Sequence, residues 1–241
     1  MRSARLLAVV GAVLLSRSAR ADQTLVLDGP LEDSTAEFVL LPFDVPAGTA
    51  EIEVRHDDLS EANILDWGLL EPGGAFRGWG GGNAEPAVVG LSAASRSYLA
   101  GPVAAGQWQV VVGKAKIKET PADYHVEIDL RDAATLAPQP ERAPYVAAGA
   151  LVTGARWFAG DFHAHSRESG DAKPTLDAMA DFAAGRGLDF VHVSDHNTTA
   201  QLDFLVDVQG RHPDVLLLPG VEFTTYHGHA GGIGARPSSA R

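Results

Sequence analysis

The stretch Gly160-Asp161-Phe162-His163-Ala164-His165 follows an apolar run and has the pattern of the end of a β-strand. Side chains of a strand alternate between its two faces with a period of two, so His163 and His165 are expected to point the same way. Two imidazoles on one face, at the mouth of a strand, can hold one divalent metal ion. Seven of the nine histidines lie between His163 and His229, which strengthens this interpretation.

The sequence around this stretch alternates between strand and helix patterns. In order, it predicts a strand at 155–162, a helix at 175–186, a strand at 188–193, a helix from Thr198 or Thr199 to about Arg211, and a strand at 215–218. The first helix has Thr175 as its N-cap and Gly187 as its stop. This β-α-β-α-β order is typical of a parallel sheet or barrel, in which functional residues gather at the C-terminal ends of the strands.

Residues 22–132 have a different pattern, of short strands separated by Gly and Pro turns. Strands are predicted at 38–41, 50–55, 107–112 and 124–130, which favours a β-sandwich or jelly roll. Trp67, Trp79 and Trp108 either line a ligand face or pack in the core, and core packing is the favoured alternative. Residues 133–154 begin with three prolines among small residues and are predicted to be a linker.

The first 21 residues have the three parts of a secretory signal peptide. Residues 1–5 are basic, residues 6–15 are apolar, and Ala19-Arg20-Ala21 is a typical cleavage motif. The apolar run is too short to span a bilayer. We therefore predict cleavage after Ala21, a periplasmic or secreted location, and no membrane span in the mature chain.

The composition argues against some partners and ligands. The formal net charge is −12, so the surface is a poor match for nucleic acid or anionic lipid, although it can concentrate cations near a metal site. The chain has no cysteine, which excludes thiolate ligands, disulfides and lipoprotein anchoring. An exported protein without disulfides must depend on its core and on any metal that it binds.

The ends of the three predicted strands in the second half carry imidazoles and carboxylates, a set that suits Zn, Mn or Fe. These residues are His163, His165, Asp171, Asp195, His196, Glu222 and His229. A carboxylate such as Glu222 can bridge two metal ions, and a bridged pair can lower the pKa of water and stabilise both oxygens of a displacement. Arg167 lies in the first of these loops, where it could hold an anionic substrate or form an ion pair between loops.

Three motifs occur in order at these strand ends: H-x-H at 163–165, D-H-N at 195–197, and G-x-E followed by G-H at 220–229. Together they resemble the polymerase and histidinol phosphatase (PHP) superfamily over roughly residues 157–234. The closer resemblance is to the carbaryl-hydrolase type, in which an exported β-sandwich precedes the PHP domain. The resemblance implies a distorted, TIM-like, seven-stranded α/β barrel that holds up to three metal ions.

The resemblance also implies a role for each matched residue. By position, the first ion would bind His163 and His165, Glu222 would bridge to a second ion on His229, and a third ion would involve Asp171 and His196. Asp161 and Asp195 would orient imidazoles. Glu222 and Arg167 are the candidates for direct participation in the reaction. Ser169-Gly170-Asp171 departs from the S-D-G order that is commoner in the family.

The predicted fold class is an all-β sandwich or jelly roll at 22–132, a linker at 133–154, and the first βα units of a PHP-type barrel at 155–241. Three strands cannot close a barrel, and no strand or helix pattern occurs from residue 231 onward. The family's later His and D-x-H ligands are also absent. We therefore expect an incomplete barrel in a C-terminally truncated chain.

The leading functional hypothesis is an exported metal-dependent hydrolase. Metal-activated water would attack a phosphoester, or a carboxylic or carbamate ester, of a small molecule, although the truncation could leave the chain inactive. Exonuclease-like phosphoesterase action is an alternative, and the negative charge argues weakly against long nucleic-acid substrates.

Three further alternatives remain. An amidohydrolase-type barrel also opens with H-x-H, but it usually needs a lysine on a later strand, and only Lys173 follows Lys118. Outside the enzymes, the chain could be a non-catalytic secreted protein that binds through its sandwich. It could also be a product that folds no further than the sandwich, with exposed strands that promote aggregation.

Overall fold

The computed structural model describes residues 22–31 and 36–235, so the predicted signal peptide at 1–21 lies outside the described residues. No helix in the described part is long and apolar enough to cross a membrane. The described elements, in chain order, are β1 Gln23–Leu31, β2 Phe38–Val45, β3 Glu51–Asp57, β4 Ile64–Leu70, β5 Phe76–Gly81, β6 Ala87–Gly90, β7 Gly106–Lys116, β8 Ala122–Arg131, β9 Gly160–Ala164, α1 Leu176–Gly185, β10 Phe190–Val193, α2 Leu202–Arg211, β11 Leu216–Thr225 and β12 Gly228–Ile233.

Strands β1 to β8 form two antiparallel sheets that share one hydrophobic core, in the orders β1-β8-β3-β6 and β2-β7-β4-β5. Strand β8 shows how the sequence produces this arrangement. Val126 and Ile128 are buried, whereas Glu127 and Asp129 are partly exposed and each lies 2.9 Å from the guanidinium of Arg55. The two-residue period therefore separates an apolar face from a charged one. The four strands predicted in this region are present within β2, β3, β7 and β8.

The tryptophans of these two sheets belong to the interior. Trp67, Trp79 and Trp108 are 3%, 6% and 0% exposed, and the indole N–H of Trp108 donates to the carbonyl of Ala104 at 2.8 Å. Core packing, the favoured alternative, is confirmed for Trp67 and Trp108, whereas Trp79 lines a cavity of about 580 Å³ with Phe38 and Phe76. His56 stacks on Trp67 with ring centroids 4.5 Å apart, and burial lowers the pKa of His56 to about 4.

The third sheet, which we call the site sheet, has the order β12-β11-β10-β9. Strands β9, β10 and β11 are parallel, and β12 pairs antiparallel with β11. Helix α1 begins after Thr175, whose hydroxyl accepts a hydrogen bond from the backbone N–H of Ala178, as predicted for an N-cap. Both helices cover one face of the sheet through a core that includes Leu176, Met179, Leu202, Leu205, Val191, Val193 and Leu217.

The predicted fold class is wrong. Three separate four-stranded sheets and only two helices are present in the described part of the chain, and a PHP-type α/β barrel is not indicated. The physical reason lies at 228–233, where three glycines hide the strand pattern. This segment forms β12 and folds back along β11, so the parallel strands end in an antiparallel hairpin on an open mixed sheet.

Two local features of the site sheet position the site: a bulge in β9, and an end of β11 that lies beyond the predicted one. Asp161 pairs with Val191 and Ala164 pairs with Val193, so two residues of β9 oppose His192 alone. Such a β-bulge changes the direction of the side chains that follow it. Strand β11 continues to Thr225, well past the predicted end at 218, so Glu222 lies inside a strand rather than in a loop.

The predicted linker is held against both parts of the chain. The backbone N–H and hydroxyl of Thr135 donate to the buried carboxylate of Glu51 at 2.9 and 2.6 Å. Further along, the guanidinium of Arg142 donates to the carbonyls of Ala94 and Tyr98 and to Asp203 of α2, each at 3.1 or 3.2 Å. The segment therefore connects the sandwich to the site sheet through specific contacts.

Candidate metal centre

Glu222 is the central residue of a polar cluster on the site sheet. Because side chains alternate along β11, Glu222 faces away from the helix-covered side to which Leu217 belongs. Its side chain is almost completely buried. Oε2 lies 2.9 Å from Nε2 of His163 and 3.0 Å from Nε2 of His165, and Oε1 lies 2.8 Å from Nδ1 of His229. Both oxygens of one buried carboxylate therefore face imidazole nitrogens.

His163 and His165 lie side by side at the end of β9. Their Nε2 atoms are 2.9 Å apart, and their rings are nearly parallel, with centroids 5.0 Å apart and an interplanar angle of 7°. The prediction that both imidazoles point the same way is confirmed. Three potential ligand atoms, one from each histidine and one from Glu222, thus converge on a single place.

Asp171 lies within reach of two other imidazole nitrogens. Its Oδ1 is 3.5 Å from Nδ1 of His165, and its Oδ2 is 3.5 Å from Nε2 of His196. The hydroxyl of Ser169 donates to Asp171 at 2.6 Å and accepts a hydrogen bond from the backbone N–H of His196 at 3.2 Å. Although Asp171 departs from the commoner family order, its carboxylate joins the cluster.

Strand β12 brings His229 to the cluster. Thr224 and His229 are partners in the β11–β12 ladder, so their side chains share the face that carries Glu222. His196 lies next to them: its Nδ1 is 3.4 Å from Oε2 of Glu222 and also contacts the hydroxyl of Thr224. The rings of His196 and His229 are edge-on, with centroids 5.4 Å apart.

The described chain thus has histidine and carboxylate groups that could hold a metal ion. They are His163–His165–Glu222, His165–Asp171–His196 and His196–Glu222–His229, each with ligand atoms within 4.8 Å of one another. All six predicted ligands come together in these groups, and they supply four imidazoles and two carboxylates. Glu222, His165 and His196 each belong to two groups, so neighbouring ions would share ligands.

The pKa shifts of Glu222, Asp171 and His196 all favour the forms that bind metal. Burial opposes ionisation of Glu222, but its hydrogen bonds with His229 and His163 outweigh burial, so the pKa of Glu222 is lowered. Burial also opposes ionisation of Asp171, yet the hydrogen bond from Ser169 and nearby imidazoles lower its pKa. Burial lowers the pKa of His196, and Asp171 offsets this only in part. Ionised carboxylates and a neutral imidazole are the forms that bind metal.

Asp161 and Asp195, which were predicted to orient imidazoles, contact the ligand-bearing backbone instead. Asp161 accepts a hydrogen bond from the backbone N–H of His163 at 2.9 Å. Asp195 is buried and accepts two hydrogen bonds from Ser166, at 2.6 Å from the N–H and 2.5 Å from the hydroxyl. Burial raises the pKa of Asp195 to about 7 despite these bonds. Asp161 therefore fixes the backbone of β9 at His163, and Asp195 fixes the segment that follows β9.

Arg167 lies apart from the cluster. Its Nε is 3.7 Å from Oε1 of the adjacent Glu168, an ion pair within one loop rather than the predicted pair between loops. Its side chain lines a cavity of about 230 Å³ together with Arg96, Arg142 and residues of α2, and none of the six cluster residues lines that cavity. The structure does not bring Arg167 together with the other predicted site residues.

Sequence reasoning missed two hydroxyl residues that touch the imidazoles. Ser169 lies 3.3 Å from Nδ1 of His165, and Thr224 contacts Nδ1 of His196. The sequence contained a usable indication for each. Ser169 stands between two predicted ligands of one loop, and Thr224 follows Glu222 by two residues, which puts both on one face of a strand.

The comparisons with known proteins add little to this site. No family model matches the chain, and no curated protein matches it. Among solved structures, the chain is similar to a chain of the cyanophage Pam1 capsid asymmetric unit, with a TM-score of 0.28 and 16% identity, over 54% of this chain and 94% of that chain. A likeness this weak gives no information about the function of the chain.

Proposed function

We propose that this chain is a metal-dependent hydrolase that cleaves an ester bond of a small molecule. The observation that carries the proposal is the position of Glu222, whose Oε2 faces His163 and His165 while its Oε1 faces His229. A carboxylate with both oxygens engaged in this way is suited to bridge two ions, and Zn, Mn and Fe match a donor set of imidazoles and carboxylates. When bound, such a pair lowers the pKa of water and stabilises the oxygens of a displacement.

Each ion would bind a different set of these ligands. His163 and His165 with Glu222 would hold one ion, His229 with Glu222 a second, and the Asp171 group a third. The side chains of His163 and His229 are 56% and 50% exposed, whereas that of Glu222 is 3% exposed. Substrate could therefore approach from the side of these two imidazoles, over a carboxylate that solvent does not reach.

The position of Arg167 bears on the substrate class. A phosphoester hydrolase gains from a cationic side chain that holds the anionic substrate. Arg167, the residue predicted for that role, lines a separate cavity. We therefore favour a neutral carboxylic or carbamate ester over a phosphoester, and small molecules over nucleic acid.

Two sequence patterns support the proposal further. The order of the ligand motifs is similar to that of the PHP superfamily, although the resemblance is confined to these motifs because the barrel is not present. The leader pattern at residues 1–21 is the basis for proposing a periplasmic or secreted location.

The test is a hydrolysis assay on the metal-free protein reloaded with Zn²⁺, Mn²⁺ or Fe²⁺, with p-nitrophenyl acetate, a p-nitrophenyl carbamate and bis(p-nitrophenyl) phosphate. We expect metal-dependent turnover of the carboxylic or carbamate ester that is lost in Glu222→Gln and His229→Gln. His212→Gln is the matched control, because His212 contacts Asp177 at 2.9 Å outside the cluster. Turnover of none of the three substrates, or equal turnover by Glu222→Gln, would contradict the proposal.

A further inference from the structure

A segment of the sandwich between β6 and β7 reaches the loop that carries Asp171. The guanidinium of Arg96 donates to the carbonyls of Gly170 and Ala172, each at 3.1 Å, so it fixes the backbone on both sides of Asp171. The Arg96 side chain is only 16% exposed, and its Nε lies 3.2 Å from Glu85 of the sandwich. A partly buried, charge-assisted pair of hydrogen bonds holds this loop in one place.

The next residue, Ser97, connects two ligand-bearing loops. Its backbone N–H donates to Oε2 of Glu168 at 3.0 Å, and its carbonyl accepts a hydrogen bond from the hydroxyl of Thr198 at 2.8 Å. Glu168 precedes Asp171 by three residues, and Thr198 follows His196 by two. Ser97 is fully buried and has a positive φ of 72°, a conformation that directs its N–H and carbonyl to these two loops.

Gly170 makes a third contact between the sandwich and this loop. A Cβ built on Gly170 would overlap the carbonyl of Gly80 at the end of β5, so no side chain fits at position 170. Position 170 must therefore be glycine for the loop to pack against the sandwich in this way.

We propose that Arg96 is a positioning residue for the ion held by His165, Asp171 and His196, and that the sandwich is in this sense part of the metal centre. The inference rests on the proposed function, since it assumes that the cluster binds metal. The contacts of Arg96 go to Glu85, Gly170 and Ala172, whereas His163 and Glu222 of the neighbouring group lie in β9 and β11. Loss of the Arg96 contacts should therefore weaken one metal site and spare another.

The test is titration of the metal-free full chain with Zn²⁺ by calorimetry and with Co²⁺ by visible absorption. In these titrations, the binding event that is lost in Asp171→Asn identifies the site that contains Asp171. In Arg96→Met, which keeps length but has no donors, we expect the affinity of that site to fall about 10- to 100-fold, as is usual for groups that hold ligands in place. The site that depends on His163 should keep its affinity and its Co²⁺ spectrum.

Two variants complete the design. Arg55→Met is the matched control, because Arg55 pairs with Glu53, Glu127 and Asp129 on the sandwich and should leave both sites unchanged. Arg96→Lys can reach one carbonyl at a time, so it should weaken the Asp171 site by a smaller factor, and it carries the test if Arg96→Met does not fold.

The outcomes separate the two proposals. Equal affinities in wild type and the Arg96 variants, or equal weakening of both sites, would overturn the positioning role alone. A wild-type chain that binds no Zn²⁺ or Co²⁺ would overturn the proposed function and this inference with it.

Discussion

The carboxylates of the sandwich and of the site sheet have different partners. On the sandwich, carboxylates pair with arginine, as the partly exposed Glu127 and Asp129 do with Arg55 and the buried Glu51 does with Arg131. On the site sheet, Glu222 is buried among imidazoles. Burial of a carboxylate costs stability unless a cation compensates it. Arginine always carries its charge, whereas imidazoles bind metal in their neutral form, so we expect a bound ion to stabilise the site sheet and not the sandwich.

Removal of metal should have the largest effect and should separate the two regions. With free metal at about 1,000 times its Kd, binding stabilises the folded state by about 4 kcal/mol, and a chelator removes this contribution. Hydrogen exchange of backbone amides should accelerate in β9, β11 and β12 and stay unchanged in β3, β7 and β8. Equal acceleration everywhere would show that the two regions do not differ in this way.

Two truncations of apolar side chains compare a buried position of the sandwich with an exposed position of the site sheet. Ile128 is fully buried in the sandwich core, so Ile128→Ala should lower the free energy of unfolding by about 2–5 kcal/mol. Phe162 on the site sheet is 58% exposed and packs edge-on against Phe190, so Phe162→Ala should lower the free energy of unfolding by only about 1 kcal/mol. Urea unfolding measures both, and similar losses in the two variants would contradict the contrast.

A third prediction concerns the pH dependence of the sandwich. Burial holds the pKa of His56 at about 4, below its ordinary value of 6.5, so the unfolded chain takes up a proton that the folded chain does not. This contribution to stability is present above pH 6.5 and is lost as the pH falls towards 4, by up to about 3 kcal/mol.

The loss of stability between pH 6.5 and 4 should be smaller in His56→Gln than in wild type, as measured by urea unfolding at each pH. His125→Gln is the control, because His125 lies on the same sheet with a 40% exposed side chain. An identical pH dependence in wild type and His56→Gln would refute the role of this residue.

The last prediction is local to α1. Thr175→Ala removes the hydroxyl that accepts a hydrogen bond from Ala178, and it should cost about 1 kcal/mol of unfolding free energy. Metal affinity should not change, because α1 packs on the face opposite the cluster. Thr153→Ala in the exposed linker is the control. Altered metal affinity in Thr175→Ala would show that the two faces of the site sheet are coupled.

Local sequence patterns predicted those parts of the fold and the site that depend on residues close together in the sequence. Alternation gave the strands β2, β3, β7 and β8, and the H-x-H spacing correctly placed His163 and His165 on one side. Strand β12 was missed because three glycines within 228–233 hide the alternation of apolar and polar residues. Without β12, the three parallel strands were taken for the start of a barrel rather than for part of an open sheet. The contact of Arg96 with Gly170 spans 74 residues, a separation that no local pattern reports.

The metal content of the purified chain tests the central claim most directly. Elemental mass spectrometry of the wild type should find near-stoichiometric Zn, Mn or Fe, because six ligands converge in the described structure. The double variant His163→Ala/His165→Ala should lose this metal while the sandwich stays folded, as judged by its buried tryptophans. A folded wild-type chain without bound metal, after incubation with each of the three ions, would contradict the account.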